Sequence, residues 1–239
     1  MAAQSAQLRA LSSLPGIGYA ATLTRPTFPV TGVLQRLFAH GGLPRGGILT
    51  ISGPHALLLA LATAAGATAQ GTWCATLNIG STSTRTILDL GIDSDHFVDV
   101  QVPPGDWLRA TSILLESIDI LITRVPFHLT GGEEQRLAAR VRERSAGLVL
   151  LTPAPGTHAG PHRPARQGGR PADRDSLTVS GCHWTGLGQG CGRLREARIT
   201  VDNPTTGRHS LLLPDHHGRA GATHAPETPQ PERRLHSVD

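Results

Sequence analysis

No lysine occurs in this chain. All 22 basic side chains are Arg, set against 18 acidic ones in 239 residues. The Arg-only set reads as the mark of a GC-rich genome, and it also removes the side chain that a P-loop places on nucleotide phosphates. Aromatic residues make up only 3%. Few platforms for base stacking remain, which argues against tight or sequence-specific binding of single-stranded nucleic acid. Cysteine is limited to Cys74, Cys182 and Cys191. An odd number, with no signal-peptide pattern, predicts a reducing cytoplasm and small buried thiols rather than a disulfide framework. Cys182, Cys191 and the pair His216 and His217 match no zinc-ligand spacing, so no metal site is expected. Charged residues are scarce at 17%, and none lies between Arg45 and Arg85. The small, apolar run inside that interval, residues 57–69, is too short for a membrane span of about 20 residues. Gly53, Pro54 and His55 break it on one side. It reads as a buried helix, and no membrane association is expected.

What the chain does have is a strand, a glycine turn and a helix. Residues 41–54, GGLPRGGILTISGP, read as a tight turn and a short strand that stops on glycine. From His55 onward the sequence reads as the start of a buried helix. This is the local context of a phosphate-binding loop. The pattern G-x-x-x-x-G-K-[ST] uses glycine to curl backbone N–H groups round the phosphates, Lys to offset their charge and Ser/Thr to hold Mg²⁺. Counted from Gly53 and Pro54, the second Gly falls on Leu58, the Lys on Leu59 and the hydroxyl on Ala60. These five residues mark a degenerate P-loop position. The acidic residue that should close an apolar strand and orient water or metal is also missing. Residues 119–124, DILITR, end on Arg124, with Asp119 at the wrong end. No ATPase activity, catalytic residue or cofactor is expected.

Around this stretch strands and helices alternate. Residues 1–30 are weakly patterned, with a short helix at 6–14 and an extended linker at 24–29. Thr31 precedes a helix at 32–39, whose apolar stripe is Val33, Leu34, Leu37 and Phe38. Strands are predicted at 48–52, 73–78, 95–100, 119–124 and 148–151. Helices are predicted at 55–69, 83–90, 107–117 behind Asp106, and 132–145 behind Thr130. In the last of these, Glu133 and Glu134 open the helix and Arg140, Arg142 and Arg144 close it, as the helix dipole favours. Such alternation argues for a parallel sheet with helices on both faces. Residues 153–175 have almost nothing to bury and read as a mobile loop. Strands without helices follow at 176–180, 194–201 and 207–213, with a hairpin turn at 204–207. Residues 214–239 are polar, Pro-rich and predicted to be disordered. The expected organisation is an N-terminal segment at 1–30, a single domain at 31–213 and a tail at 214–239.

A second distinctive segment is 181–194, GCHWTGLGQGCGRL, with Gly186, Gly188, Gly190 and Gly192 at alternate positions. The spacing is not a dinucleotide fingerprint. It suits a wide β-turn or bulge where backbone passes close to something, or a hairpin that needs only flexible dihedrals. Arg193, Arg195 and Arg198 follow at once, and residues 153–198 hold seven Arg against Asp173, Asp175 and Glu196. The four glycines and three arginines form the candidate contact for single-stranded DNA, weak and directed at phosphate.

Thr31-Gly32 and the pattern G-G-L-P-x-G-x-I-x-x-I-x-G-P from Gly41 to Pro54 resemble the opening of the RecA ATPase core. Further matching residues are Leu177-Thr178-Val179, the run W-x-G-L-G-x-G-x-G-R-L from Trp184 to Leu194, Gly207-Arg208 and Leu212-Leu213-Pro214. A strand ending in Arg124 and followed by an Arg-rich helix adds to them. Over about residues 28–214 the chain is similar to the RecA-like accessory proteins of the actinobacterial mutasome, the ImuA′ type. The resemblance implies an α/β fold with a RecA-like core, a mainly parallel sheet flanked by helices and antiparallel strands added near the C-terminus. It implies a cytoplasmic, damage-inducible scaffold for mutagenic translesion synthesis. Its partners would be an error-prone C-family DNA polymerase and an inactive Y-family polymerase homologue. The N-terminal 30 residues and the 214–239 tail, with little core of their own, would carry the docking. The chain departs from its relatives at the P-loop, which removes the basis for a nucleotide-switched step. Two alternatives stay open: a RecA paralogue that binds single-stranded DNA, and a SulA-like inhibitor of cell division.

Overall fold

A computed structural model describes residues 26–127, 129–153, 174–188 and 191–223. The first two strands, β1 (Thr27–Pro29) and β2 (Gly42–Pro44), form a small antiparallel ladder. Between them residues Gly32–Leu37 wind into a 3-10 segment that buries Leu34 and Leu37. Seven short or medium strands follow in the order of the chain: β3 (Gly47–Ser52), β4 (Cys74–Leu77), β5 (Phe97–Val100), β6 (Ile120–Arg124), β7 (Gly147–Thr152), β8 (Arg174–Gly188) and β9 (Cys191–Asn203). Two more, β10 (Gly207–Leu212) and β11 (Gly221–Ala222), complete a nine-stranded sheet in the order β11-β10-β9-β8-β3-β7-β6-β4-β5. Strands from β8 to β5 run parallel; β9, β10 and β11 add antiparallel pairs at one end. The central strands are uncharged Leu, Ile and Val runs because both of their faces are covered.

Among the described residues, four helices cover those faces. α1 (Ala56–Thr68) and α2 (Thr84–Asp89) accompany the chain outward from β3 to β5; α3 (Trp107–Ser117) and α4 (Gly131–Arg144) accompany it back to β7. Right-handed crossovers put outward and returning helices on opposite faces, and the core divides accordingly. Leu49, Ile51, Ile122 and Val149 pack with Leu59 and Ala64 of α1, and with Phe28, Leu34 and Leu37. Ile48, Leu121 and Leu148 point the other way, against Trp107 and Leu115 of α3 and Leu137 and Val141 of α4. The two-residue period of a strand makes that division. α1 is apolar nearly all round and is buried along most of its length, as a helix without a polar face must be. No helix among the described residues is long and apolar enough to cross a membrane.

The expected α/β architecture, a mainly parallel sheet flanked by helices with antiparallel strands near the C-terminus, is borne out. Several local expectations are corrected. Residues 27–29 are a strand and not linker: Phe28 is wholly buried, and Pro29 is tolerated because a two-stranded ladder leaves one edge unpaired. The predicted helix at 32–39 is the 3-10 segment, and Thr31 makes no side-chain cap; Gly32 and Val33 give it weak α-helical propensity. The strands predicted at 176–180 and 194–201 are longer, because each completes the hydrogen bonding of the other. Residues 214–223, assigned to a disordered tail, return as β11 against β10. The helix predicted at 6–14, most of the 153–175 loop and residues 224–239 lie outside the described residues.

Candidate functional site

Ser52 ends β3 and Ala56 begins α1, so the connection is only Gly53, Pro54 and His55. Gly53 has φ +97°, and a Cβ there would lie 2.1 Å from the carbonyl oxygen of Val179 on β8. The backbone of β8 therefore presses on the turn. His55 takes a left-handed conformation, and its carbonyl accepts the Leu59 N–H at 3.0 Å. The His55 imidazole meets the Trp184 indole edge-on, with ring centroids 5.6 Å apart. The one hydroxyl at the strand end, on Ser52, shares a 3.2 Å hydrogen bond with Thr178 of β8. The turn is thus short and roofed by the β8 segment from Thr178 to Trp184.

That geometry corrects the register counted from sequence. Leu58, Leu59 and Ala60 do not line a loop; they lie within α1, with Leu59 and Ala60 fully buried and Leu58 packed against the same core. A phosphate cradle needs a run of backbone N–H groups curled in a longer loop before the helix. Three residues under a neighbouring strand do not supply one. No acidic or basic side chain occupies the first turn of α1.

At the end of β6 the position that would orient water or metal is held by structure. Thr123 is fully buried; its hydroxyl accepts the indole N–H of Trp107 at 2.8 Å and donates to the Leu77 carbonyl at 2.9 Å. Arg124 follows, exposed. Asp119, at the opposite end, accepts the Trp73 N–H at 3.0 Å. Asp99 accepts the Thr76 hydroxyl at 2.6 Å. Asp106 stands before α3 without making a side-chain cap. Sequence reasoning missed Trp107 as a core residue. The spacing Trp107, Thr111, Leu115, all buried, is the signal that could have found it.

The glycine-rich segment forms the far part of the β8–β9 hairpin. A register shift between Val179 and Gly181 makes Ser180 a bulge residue of β8, and a second, between Thr185 and Leu187, sets residues 193–195 of β9 opposite Gly186 alone. Gly188 pairs with Cys191 and Leu187 with Gly192; Gly190 lies outside the described residues. Arg198 is exposed, opposite His183 on β8 and Leu212 on β10. Of the three predicted arginines, only the side chain of Arg198 is described. The side chains of Arg193 and Arg195 lie outside the described residues. Arg208 of β10 is engaged by Asp202 at 2.6 Å. That hydrogen bond holds the Asp202 carboxyl below the usual carboxylate range, with a further contribution from Ser180.

Among the described residues, neither thiol is a ready nucleophile. Burial pushes Cys74 up to about 12, and burial also raises Cys182; neither is a ready thiolate. Among the described residues no group of three or more His, Cys, Asp or Glu is placed to hold a metal ion. A family model described as the MT3502 N-terminal domain matches residues 36–156, from the end of the 3-10 segment to just past β7. No curated protein matches the chain.

Proposed function

The chain belongs to the MT3502 N-terminal domain family, and from that premise we propose that it is a non-catalytic, RecA-like accessory factor of the ImuA′ type. It serves as a scaffold in damage-inducible DNA repair and mutagenic translesion synthesis. The observation that carries the non-catalytic part is the turn at Gly53, Pro54 and His55. It is three residues long, it is closed over by Val179 and Trp184, and α1 starts with leucines in place of phosphate ligands. The Thr123–Arg124 end of β6 supports the same reading, since its hydroxyl is already engaged at both ends. A RecA-like core without nucleotide chemistry still has surfaces, and function then lies in docking. The polymerase partners rest on the sequence resemblance.

The test pairs two measurements. A tagged chain is recovered from DNA-damaged cells, and damage-induced mutation is scored in a deletion strain. Recovery of the C-family polymerase or the Y-family homologue, together with fewer induced mutations on deletion, is the expected result. If neither partner is recovered and mutation is unchanged, the reading is wrong. Direct action on single-stranded DNA is the weaker reading, because aromatic residues make up only 3% of the chain and leave few platforms for base stacking.

A further inference from the structure

α3 and α4 lie side by side on one face of the sheet and leave a groove of about 460 Å³ between them. The groove follows from helical spacing. Leu108 and Arg109 of α3 face Arg136, Leu137 and Arg140 of α4, residues three and four apart sharing one side of each helix. Leu137 is buried and Leu108 is half-buried, so the groove has an apolar floor. Ile113, one turn beyond Arg109, is 56% exposed. The arginines are unevenly used. Arg140 pairs with Glu116, yet its Nε is buried without a hydrogen-bond partner. Glu133, beside Arg136, already accepts both the N–H and the hydroxyl of Thr130. Arg109 is exposed and makes no ion pair among the described residues.

We propose that this groove docks a short acidic segment of a partner protein, with carboxylates on Arg109 and Arg136 and one apolar side chain over Leu108 and Leu137. Charge complementarity and the leucine floor choose this occupant together. A phosphodiester chain fits less well: no aromatic ring lines the groove for stacking, and Glu116 and Glu133 would repel a continuous row of phosphates. Discrete carboxylates on a peptide can be spaced to avoid them. The proposal gives the scaffold reading a binding face. It is tested without the polymerases, so either idea can fail alone.

The probe is a fluorescein-labelled peptide, GDEDLFDEDG, followed by anisotropy on the full chain. Its controls are the amide version GNQNLFNQNG, the anchorless version GDEDSSDEDG and labelled oligo-dT. The acidic, anchored peptide should bind best, more weakly as salt rises. The double variant R109E/R136E should lose at least about tenfold in affinity. Arg85→Glu, on α2 and exposed, should change nothing. Both substituted arginines are exposed, so an unchanged melting curve is expected to certify the double variant. Equal binding of the amide peptide, no loss in the double variant, or tighter binding of oligo-dT at the same arginines would each overturn the proposal.

Discussion

Replacing Gly53 with Ala tests whether β8 closes the turn. Two effects are predicted to add. The first is backbone strain: φ +97° is a conformation that residues with a side chain rarely adopt, and holding one there costs about 1–3 kcal/mol. The second is the collision with the Val179 carbonyl, for which the added Cβ would be 2.1 Å away. Backbone cannot swing aside as a long side chain can, and forcing an extra methyl into filled space costs about 1–3 kcal/mol more. Gly207 separates the two. It has φ +91° in the β9–β10 turn, but nothing lies within 4 Å of a Cβ built there. Gly207→Ala should therefore cost the strain alone, and Gly53→Ala should exceed it by the collision. Urea unfolding with linear extrapolation measures both. Equal losses for the two variants would mean that Val179 does not press on the turn, and the roofed-turn argument would fall with it.

Thr123→Val should cost about 1–3 kcal/mol for each group it orphans, the Trp107 indole N–H and the Leu77 carbonyl; a double-mutant cycle with Trp107→Phe should return a coupling of about 0.5–3 kcal/mol. Thr130→Ala should lower stability by about 1 kcal/mol, read by thermal melting, because it removes the capping box of α4. The same box holds the Glu133 carboxyl below its usual range, chiefly through the Thr130 N–H. That contribution is present above the ordinary glutamate pKa and lost as pH falls through the lowered value, so Glu133→Gln, which removes the titrating carboxyl, should blunt the acid side of the stability profile. Cys74 acts at the other end. Its native thiol titrates near 12 against an ordinary 9.0, so above pH 9 the unfolded chain loses a proton that the native chain keeps. Stability should fall there by up to about 1.4 kcal/mol per pH unit, and Cys74→Ala should flatten that decline in urea midpoints.

Elements whose partners are chosen by their own pattern were legible from sequence. β3, β6 and β7 declare themselves as apolar runs, and Thr130 with Glu133 and Glu134 marks the start of α4 despite Gly131 and Gly132. Elements chosen by a partner were not. β1 is three residues flanked by prolines and exists because Gly42–Pro44 pairs with it. β8 and β9 run through glycines of poor strand propensity, held by each other's hydrogen bonds. β11 is two residues set against β10. At the site, the missing Lys could be read directly. The shortened turn could not, because its cause is Val179, a strand 126 residues further on in register with Ser52 through Thr178. Trp107 was read as the start of a helix because Thr111, polar in composition, hid the buried row it belongs to.

The place of β3 sets a timetable for making the protein. Gly47 pairs with Gly147, and Ile51 with both Leu151 and Leu177. At synthesis rates of roughly 5–20 residues per second, about 5–20 s pass before the first of these partners leaves the ribosome. During that interval an uncharged stretch of β3 and α1 stands in water with neither neighbour, the kind of segment that pairs with a second nascent copy. Crowded polysomes and slow elongation therefore lengthen the exposure of this stretch, and a chaperone's hold on residues 47–68 is worth most before residue 178 has been made.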